Sequence, residues 1–521
     1  MSDFQIRQLL ETLPKRICDV VKPGTEGSPD HPAIVEGEVT WSYAQLRSAI
    51  AETRGWLLES GVRPGDRVMI VCENCRAIVA ILLAAVSMDA WPVLVNAQLS
   101  PREIEQIRDH CGARRIVYTT GSSPQANEHA KGFGAIPVSL GSLGQISLGP
   151  LNESTDPEPV EAEIHNRVAA MIYTSGTTGQ PKGVMLTHQN LLFIAAVSAR
   201  IRSLIPEDRL YGILPMSHAV GLSVVLLGTL LSGATLYLAA RFDPMTARTV
   251  IEKDRITVLL GVPSMFGQFL QYAKLRRLQS LQFPALRIIS SSGAPLDLAT
   301  KQATERLFGM PLHNGYGITE CSPTIAQTRV ETPPSDVSVG EFLPGVESKF
   351  LGANGEEVAL GEVGELWLRG PNIMKGYYRA PEATAAAIDS NGWFNTRDLA
   401  RQEDGNLFVV GRTKELIVRS GFNVYPVEVE AVLNAHSTVA RSAVIGRSVR
   451  GDEEVLAFVE AVPGSKVTTM ELAQHAARYL ASYKRPSKIV LVSAMPLTPT
   501  GKVAKNELAK MISEDPELVT S

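Results

Sequence analysis

The chain is short of several things, and each shortage excludes something. It carries only five cysteines in 521 residues. A sparse, odd-numbered set builds no disulfide framework and points to a reducing, cytoplasmic compartment. Its net charge of −4 lacks the basic excess of a nucleic-acid footprint, so no nucleic-acid partner is expected. Aromatic residues make up 6% and charged residues 20%, an ordinary globular composition. The opening "MSDFQIRQLLETLPKRICDVV" has no uninterrupted apolar stretch and does not read as a secretory signal. The uncharged run from Ala219 to Ala240 is long enough for a bilayer on length alone. Within it, "LSGATLYLAA" reads as a helix ending at Gly233 followed by a buried strand, so no integral membrane segment is expected.

Cys72 and Cys75 form a CxxC in "VMIVCENCRAIV", but no second pair stands at metal-ligand spacing. The expectation is a strand-to-helix turn that happens to carry two cysteines.

A chain this long exceeds one ordinary core, so at least two domains are expected. "RVMIV" (67–71), "RRIVYTT" (114–120), "TVLLGV" (257–262) and "LRIISSSG" (286–293) read as strands leading into turns and alternating with helices. That alternation predicts parallel sheets covered by helices, an α/β architecture. Near Gly411 the texture changes. "GELWLRGPNIMKGYY" and "GNLFVVGR" before it suggest short antiparallel pairs. After it, the order helix, strand, strand, helix, strand predicts a compact α+β unit of ordinary domain size. The boundary is expected at "GRTKE" (411–415), giving domains 1–411 and 412–521.

The stretch "MIYTSGTTGQPKGVMLTH" (171–188) is rich in glycine and hydroxyl side chains and carries one lysine, Lys182. A triphosphatase P-loop reads GxxxxGK[ST]; here Lys182 follows Pro181 and precedes Gly183, so that pattern fails. What remains is a loop dense in N–H and O–H donors able to close over phosphate oxygens.

Set beside its companions, this stretch resembles the phosphate loop of the adenylate-forming enzymes, the family of acyl- and aryl-CoA synthetases, luciferases and peptide-synthetase adenylation domains. "NGYGITE" (314–320) resembles that family's adenine and magnesium motif, "WFNTRDLA" (393–400) its ribose motif, "GRTKELIVRSGFNVYPVEVE" (411–430) its hinge and "PLTPTGKVAKNEL" (496–508) its C-terminal lysine loop. The similarity spans nearly the whole chain, from "TWSYAQL" (40–46) to Leu508. It implies a large N-terminal domain of two helix-flanked sheets plus a distorted β-barrel-like unit, followed by a small mobile α+β domain.

The chemistry implied is attack of a carboxylate on the α-phosphate of ATP, giving an acyl-adenylate that a thiol then takes up, with Mg2+ and CoA as the other participants. Two anions must meet, so positive charge and oriented donors should dominate. The resemblance assigns Lys182 and the hydroxyls of Thr174, Ser175, Thr177 and Thr178, with Gly176 and Gly179, to the β- and γ-phosphates. Glu320 would help bind Mg2+, an oxygen-seeking cation. Tyr316 would stack on adenine, lined by Gly293, Ala294 and Pro295, with Asn314, Gly315, Gly317 and Thr319 completing the nucleotide site. Asp398 would accept from the ribose hydroxyls; Arg397 precedes it where the family usually has glycine. Arg412 would reach the nucleotide from the domain boundary. Lys502 would carry the first half-reaction, Lys414 would be the hinge, and Gly421 would border the tunnel for the thiol.

Adenylation domains for amino acids carry an aspartate just past the position of Met216–His218; "LPMSHAVGLSVV" has none, which favours a simple carboxylic acid. His218 would gate the acyl pocket or the thiol tunnel. The pocket is expected from His218, Ala219, Val220, Val224, Gly261, Val262, Ser290, Gly315 and Gly317. These are small or apolar apart from His218, with no arginine for a second carboxylate, so a fatty or aryl monocarboxylic acid is expected. The acceptor is expected to be CoA; loading of an acyl carrier protein, or a non-catalytic nucleotide-binding protein of the same fold, are the alternatives.

Overall fold

A computed structural model describes residues 3–174, 181–419, 422–449, 452–498 and 502–515. Two large sheets, of nine and eight strands, dominate the first four hundred residues. At the centre of the nine-stranded sheet, Thr235–Leu238, Arg209–Gly212, Val258–Gly261, Ile288–Ser292 and Leu312–Gly317 run parallel. Antiparallel strands Thr324–Gln327 and Glu341–Phe342 close one edge. The eight-stranded sheet is built on parallel Arg67–Cys72, Trp91–Asn96 and Arg115–Tyr118. Val168–Thr174 joins it in parallel and returns as antiparallel Lys182–Thr187.

The core lies between the sheets. Helix Arg76–Ser87 is buried at every residue from Ala77 to Val86, as a helix apolar around its whole circumference must be. It packs with helix His188–Ile201 and the helical run Val220–Leu227 in one cluster, with Ile70, Leu94 and Ile172 from one sheet and Leu210, Leu236 and Val258 from the other. The uncharged run is therefore core: Val220–Leu227 continues into Gly228–Leu231, Gly233 turns the chain with φ +73°, and Thr235–Leu238 is a central strand. Among the described residues no helix is long and apolar enough to cross a membrane.

Strands Glu347–Leu351, Gly364–Arg369, Phe394–Glu403 and Asn406–Arg412 form a four-stranded antiparallel sheet. The barrel-like expectation is corrected here. The outer strands 347–351 and 406–412 do not pair with each other, so the sheet is open and no closed barrel occurs among the described residues. The segment read as one antiparallel group also splits. Gly376–Tyr377 leaves this sheet and pairs with the strand Lys182–Thr187, placing Tyr377 opposite Val184.

The C-terminal unit follows the expected order: helix Pro426–Asn434, strands Val439–Val449 and Asp452–Ala461, helix Thr469–Tyr479 and strand Lys488–Val492. Its sheet has one apolar cluster around Leu433 and Leu472 and a second around Phe458 and Leu508, the latter on the closing helix Lys505–Glu514.

Candidate active site

The site forms outside the carboxyl ends of the parallel strands, where open α/β sheets present their loops. Strand Leu312–Gly317 delivers Asn314, Gly315, Tyr316 and Gly317 in sequence. Asn314 is buried and its amide donates to the carbonyls of Val337 (3.2 Å) and Ser338 (3.3 Å), while its Oδ1 accepts from the Gly315 N–H. It therefore positions backbone. At Gly317, a Cβ would lie 2.2 Å from the Pro323 carbonyl oxygen, so two chain segments meet there in a way only glycine allows. Gly293, with φ +84°, ends strand Ile288–Ser292 and leads through Ala294 and Pro295.

Asp398 is buried at 3% exposure. It accepts from the Tyr316 hydroxyl and from Arg412 Nε at 3.1 Å, and its N–H donates to Thr396 Oγ1. Burial pushes its carboxyl above the usual range, against the pull of Arg412, Tyr316 and Lys502. A carboxylate offers about four acceptor positions, so two partners leave capacity for ribose hydroxyls. Arg397 takes the left-handed backbone that glycine favours, φ +60°, with its N–H on Asn395 Oδ1 at 2.8 Å. The chain keeps the turn that aims Asp398 while using a residue ill suited to it.

Lys182 opens its strand opposite Thr174, and its ammonium sits 4.9 Å from the centre of the Tyr377 ring. The Tyr377 hydroxyl, pushed up chiefly by burial and then by Glu320, donates to Glu320 Oε1 at 2.9 Å. Glu320 belongs to the single helical turn Thr319–Cys321. It keeps Oε2 with no hydrogen bond among the described residues. No group of three or more metal-ligating side chains occurs among those residues. A carboxylate with one oxygen open, sharing Tyr377 with the Lys182 ammonium, suits Mg2+, which takes few protein ligands and completes its shell from phosphates and water. Ser175, Gly176, Thr177, Thr178 and Gly179 lie outside the described residues, as does Gly421.

Lys502 stands next to Val503, which pairs with Leu497 in an isolated antiparallel bridge, and the Lys502 carbonyl accepts from the Thr498 N–H at 2.7 Å. Its ammonium lies within electrostatic reach of Asp398, Arg412 and His218. Burial first, and Arg412 second, hold its pKa below the usual lysine range. His218 Nε2 is shut off from solvent and has no hydrogen-bond partner among the described residues. Burial and then Lys502 lower its pKa to about 4, so the ring is neutral at pH 7. Lys414 stands in the single turn Thr413–Glu415 directly after Arg412, the last residue of its strand.

A small cavity next to Tyr316 is lined by Val220, Val224, Ser290, Gly315 and Gly317 of the expected acyl pocket, and by Leu260. Ala219, Gly261, Val262 and His218 are not among its lining residues. One expectation fails outright: Arg202 lines this pocket. In "SARIRSLIPEDR" it reads as an ordinary charged helix end. Folding places it at the C-terminus of the buried helix His188–Ile201, where it is 6% exposed.

Asn74 was equally hidden. It sits inside the CxxC turn, whose cysteines are buried and free. Its amide crosses to the other sheet, donating to the Gly212 and Leu214 carbonyls (2.9 Å each) and accepting from the Met216 N–H at 2.8 Å. That clamp holds the loop that presents His218. Neither its spacing nor its residue type signals this.

Residues 23–378 match the family model described as "AMP-binding enzyme", and residues 428–502 match "AMP-binding enzyme C-terminal domain". The chain belongs to the adenylate-forming, AMP-binding enzyme family. It is 34% identical to a feruloyl-CoA synthase of Amycolatopsis sp, covering 93% of this chain and 96% of that one. It is 30% identical to 4-coumarate–CoA ligase 3 of Oryza sativa subsp. japonica, over 94% and 91%. The crystal structure of ATP-bound MatB from Rhodopseudomonas palustris superposes with a TM-score of 0.83 at 27% identity, over 95% and 99%. The chain is thus an enzyme of the adenylate-forming acid–CoA ligase class, whose chemistry takes a carboxylic acid and CoA and uses ATP and Mg2+.

Proposed function

We propose that this chain is an ATP- and Mg2+-dependent carboxylic acid–CoA ligase that makes an acyl-adenylate and then an acyl-CoA thioester, on an acid with an aryl or fatty body. The observation that carries the reading is Lys502, a C-terminal residue whose ammonium is within electrostatic reach of Asp398 and Arg412. In the first step a carboxylate oxygen attacks the α-phosphorus and the bond to pyrophosphate breaks. Lys502 screens the two approaching anions, and Lys182 with the hydroxyls of its loop holds the leaving pyrophosphate. Glu320 would hold Mg2+, which when bound would supply charge neutralisation on the phosphate oxygens. Asp398 orients the ribose, with Tyr316 against the base.

In the second step the CoA thiol sulfur attacks the adenylate carbonyl, the C–O bond to AMP breaks and the thiol proton leaves to solvent. The division of the chain at 411/412 makes Lys414 the hinge, and Gly421 falls on the loop bordering the thiol path; movement about such a hinge can limit turnover. The end of a regular strand at Arg412, followed at once by a single turn, supports that division. The feruloyl- and coumarate-specific relatives favour an aryl body, and the apolar walls Val220, Val224 and Leu260 accept either class. Cysteines mostly buried and all free suit a reducing, cytoplasmic setting.

The test is pyrophosphate release with ATP and Mg2+ across aryl, fatty and amino acids, with and without CoA, following the thioester by mass. Turnover that needs an organic acid and yields its CoA thioester supports the reading. Pyrophosphate release with no thioester under any condition overturns the choice of acceptor.

A further inference from the structure

Helix Pro101–Cys111 ends against the strand that leads into the phosphate loop. Its apolar side, Ile104, Ile107 and Cys111, is buried. Arg67, with no exposed surface, donates from Nε to the Cys111 carbonyl at 2.9 Å. Packing and a charge-assisted hydrogen bond therefore fix the helix end. From there His110 reaches Tyr173: Nδ1 lies 2.6 Å from the phenol oxygen, and the rings meet edge to face with centres 5.6 Å apart. Burial pushes the phenol up, so it keeps its proton. Burial first and Arg379 second hold the imidazole low, so the ring is neutral at pH 7. The phenol oxygen has no other hydrogen-bond partner among the described residues; it donates, and Nδ1 accepts.

Tyr173 pairs with Gly183 across the hairpin, and the next rung is Thr174 with Lys182, the last described pair before the loop. The Tyr173 ring lies across that hairpin, since a Cβ on Gly183 would stand 3.2 Å from Tyr173 Cζ. The outgoing strand is held as well: the Gly183 carbonyl accepts from the Tyr378 N–H at 2.8 Å. The Tyr378 ring packs edge-on against His110 with centres 5.8 Å apart, and its hydroxyl donates to Glu158. Tyr377, its neighbour in the chain, carries the Lys182 ammonium over its ring. Packing alone asks only for an aromatic ring at 173. A hydroxyl buried there costs free energy unless it is paired, and the pairing is what ties the hairpin to the fixed helix end.

We infer that His110 is a positioning residue for the triphosphate: by holding the Tyr173 hydroxyl it fixes the rung Thr174–Lys182 and so places the Lys182 ammonium for the β- and γ-phosphates of ATP. It acts through Tyr173 and the strand. A loosened rung lowers affinity for the phosphates beyond the first and leaves AMP, which lacks them, bound as before. This inference rests on the ligase reading above, with Lys182 as its phosphate lysine.

The experiment measures binding of ATP with Mg2+, and of AMP, to the full chain by calorimetry, with no acid present so that nothing turns over. Tyr173→Phe and His110→Phe keep a ring at each position and remove the hydrogen bond. Each should weaken ATP about 3- to 10-fold, the worth of one hydrogen bond between neutral groups, with AMP changed by less than about twofold. The double variant should bind ATP no more weakly than either single one, because both remove the same bond. His110→Asn, whose amide oxygen takes the place of Nδ1, should regain part of the loss. Thioester formation from supplied acyl-adenylate and CoA should keep its wild-type rate throughout. Equal losses for ATP and AMP, or additive losses in the double variant, overturn the inference. So does undiminished ATP binding in both single variants; if Lys182→Ala still weakens ATP, the ligase reading stands without it. A Lys182→Ala variant that binds ATP as tightly as the wild type removes the phosphate lysine and this inference with it. If His110→Phe fails to fold, as judged by its melting curve, the ratio of ATP to AMP affinity in Tyr173→Phe decides.

Discussion

Lys502→Ala should separate the two half-reactions. The ammonium stands near Asp398 and Arg412 without a hydrogen-bonded acceptor among the described residues, and burial and Arg412 already hold its pKa low. Its charge is therefore available to the reacting anions. A unit charge about 4 Å from a developing negative oxygen is worth about 4 kcal/mol at an effective dielectric near 20. Removing one preorganised donor from such a site costs about 2.7–4 kcal/mol. The residue as a whole keeps solvent exposure, so the lower end applies, about 3 kcal/mol or roughly a hundredfold. Acyl-adenylate formation, followed as pyrophosphate exchange into ATP, should fall by that factor. Thioester formation from supplied acyl-adenylate and CoA should stay within roughly threefold, under 1 kcal/mol. Equal losses in both assays would refute the assignment, because a lysine that merely braces the fold would injure both. Lys502→Arg, keeping the charge on a longer side chain, should recover part of the first step.

Lys414→Pro should slow the thiol step more than adenylation, measured as the ratio of the two half-reaction rates; proportional losses would refute the hinge. Arg397→Gly should unfold at a urea concentration corresponding to about 1 kcal/mol more stability than Arg397→Ala. Both remove the half-exposed contact to Glu365 at 3.8 Å, but only glycine relieves the left-handed backbone. His188 is 1% exposed, and its Nδ1 accepts from the Ile17 N–H at 3.1 Å. Burial chiefly, with Arg16 adding to it, lowers its pKa to about 3. The unfolded chain takes up this proton below about pH 6.5 and the folded one only near 3, so stability falls as pH drops through that window, by up to about 3–5 kcal/mol. His188→Gln, which keeps an acceptor for Ile17, should flatten the pH dependence of the urea midpoint; an unchanged slope would refute the buried neutral ring.

Sequence by itself determined the class of fold and named the candidate nucleotide-site residues. Alternating apolar runs sufficed to find Arg67–Cys72, Val258–Gly261, Ile288–Ser292 and the five-element order of the C-terminal unit, because hydrophobic periodicity and turn residues are local signals. Asp398, Tyr316, Glu320 and Lys502 were legible as candidates because they sit in short contiguous motifs whose backbone geometry demands particular residues. The glycine-favouring turn at Arg397 was visible even as a departure.

Tertiary structure alone decided what depends on residues far apart. Tyr377 lies 195 residues after Lys182 and meets it only because a two-residue strand crosses to the other sheet. Asn74 holds the loop before His218 across the space between the sheets. Arg202 looked like a solvated helix end because charge at a C-terminal turn usually is. It lines the pocket because the helix bearing it is packed between two sheets, and burial of that helix is a property of the assembled core that no window of sequence contains.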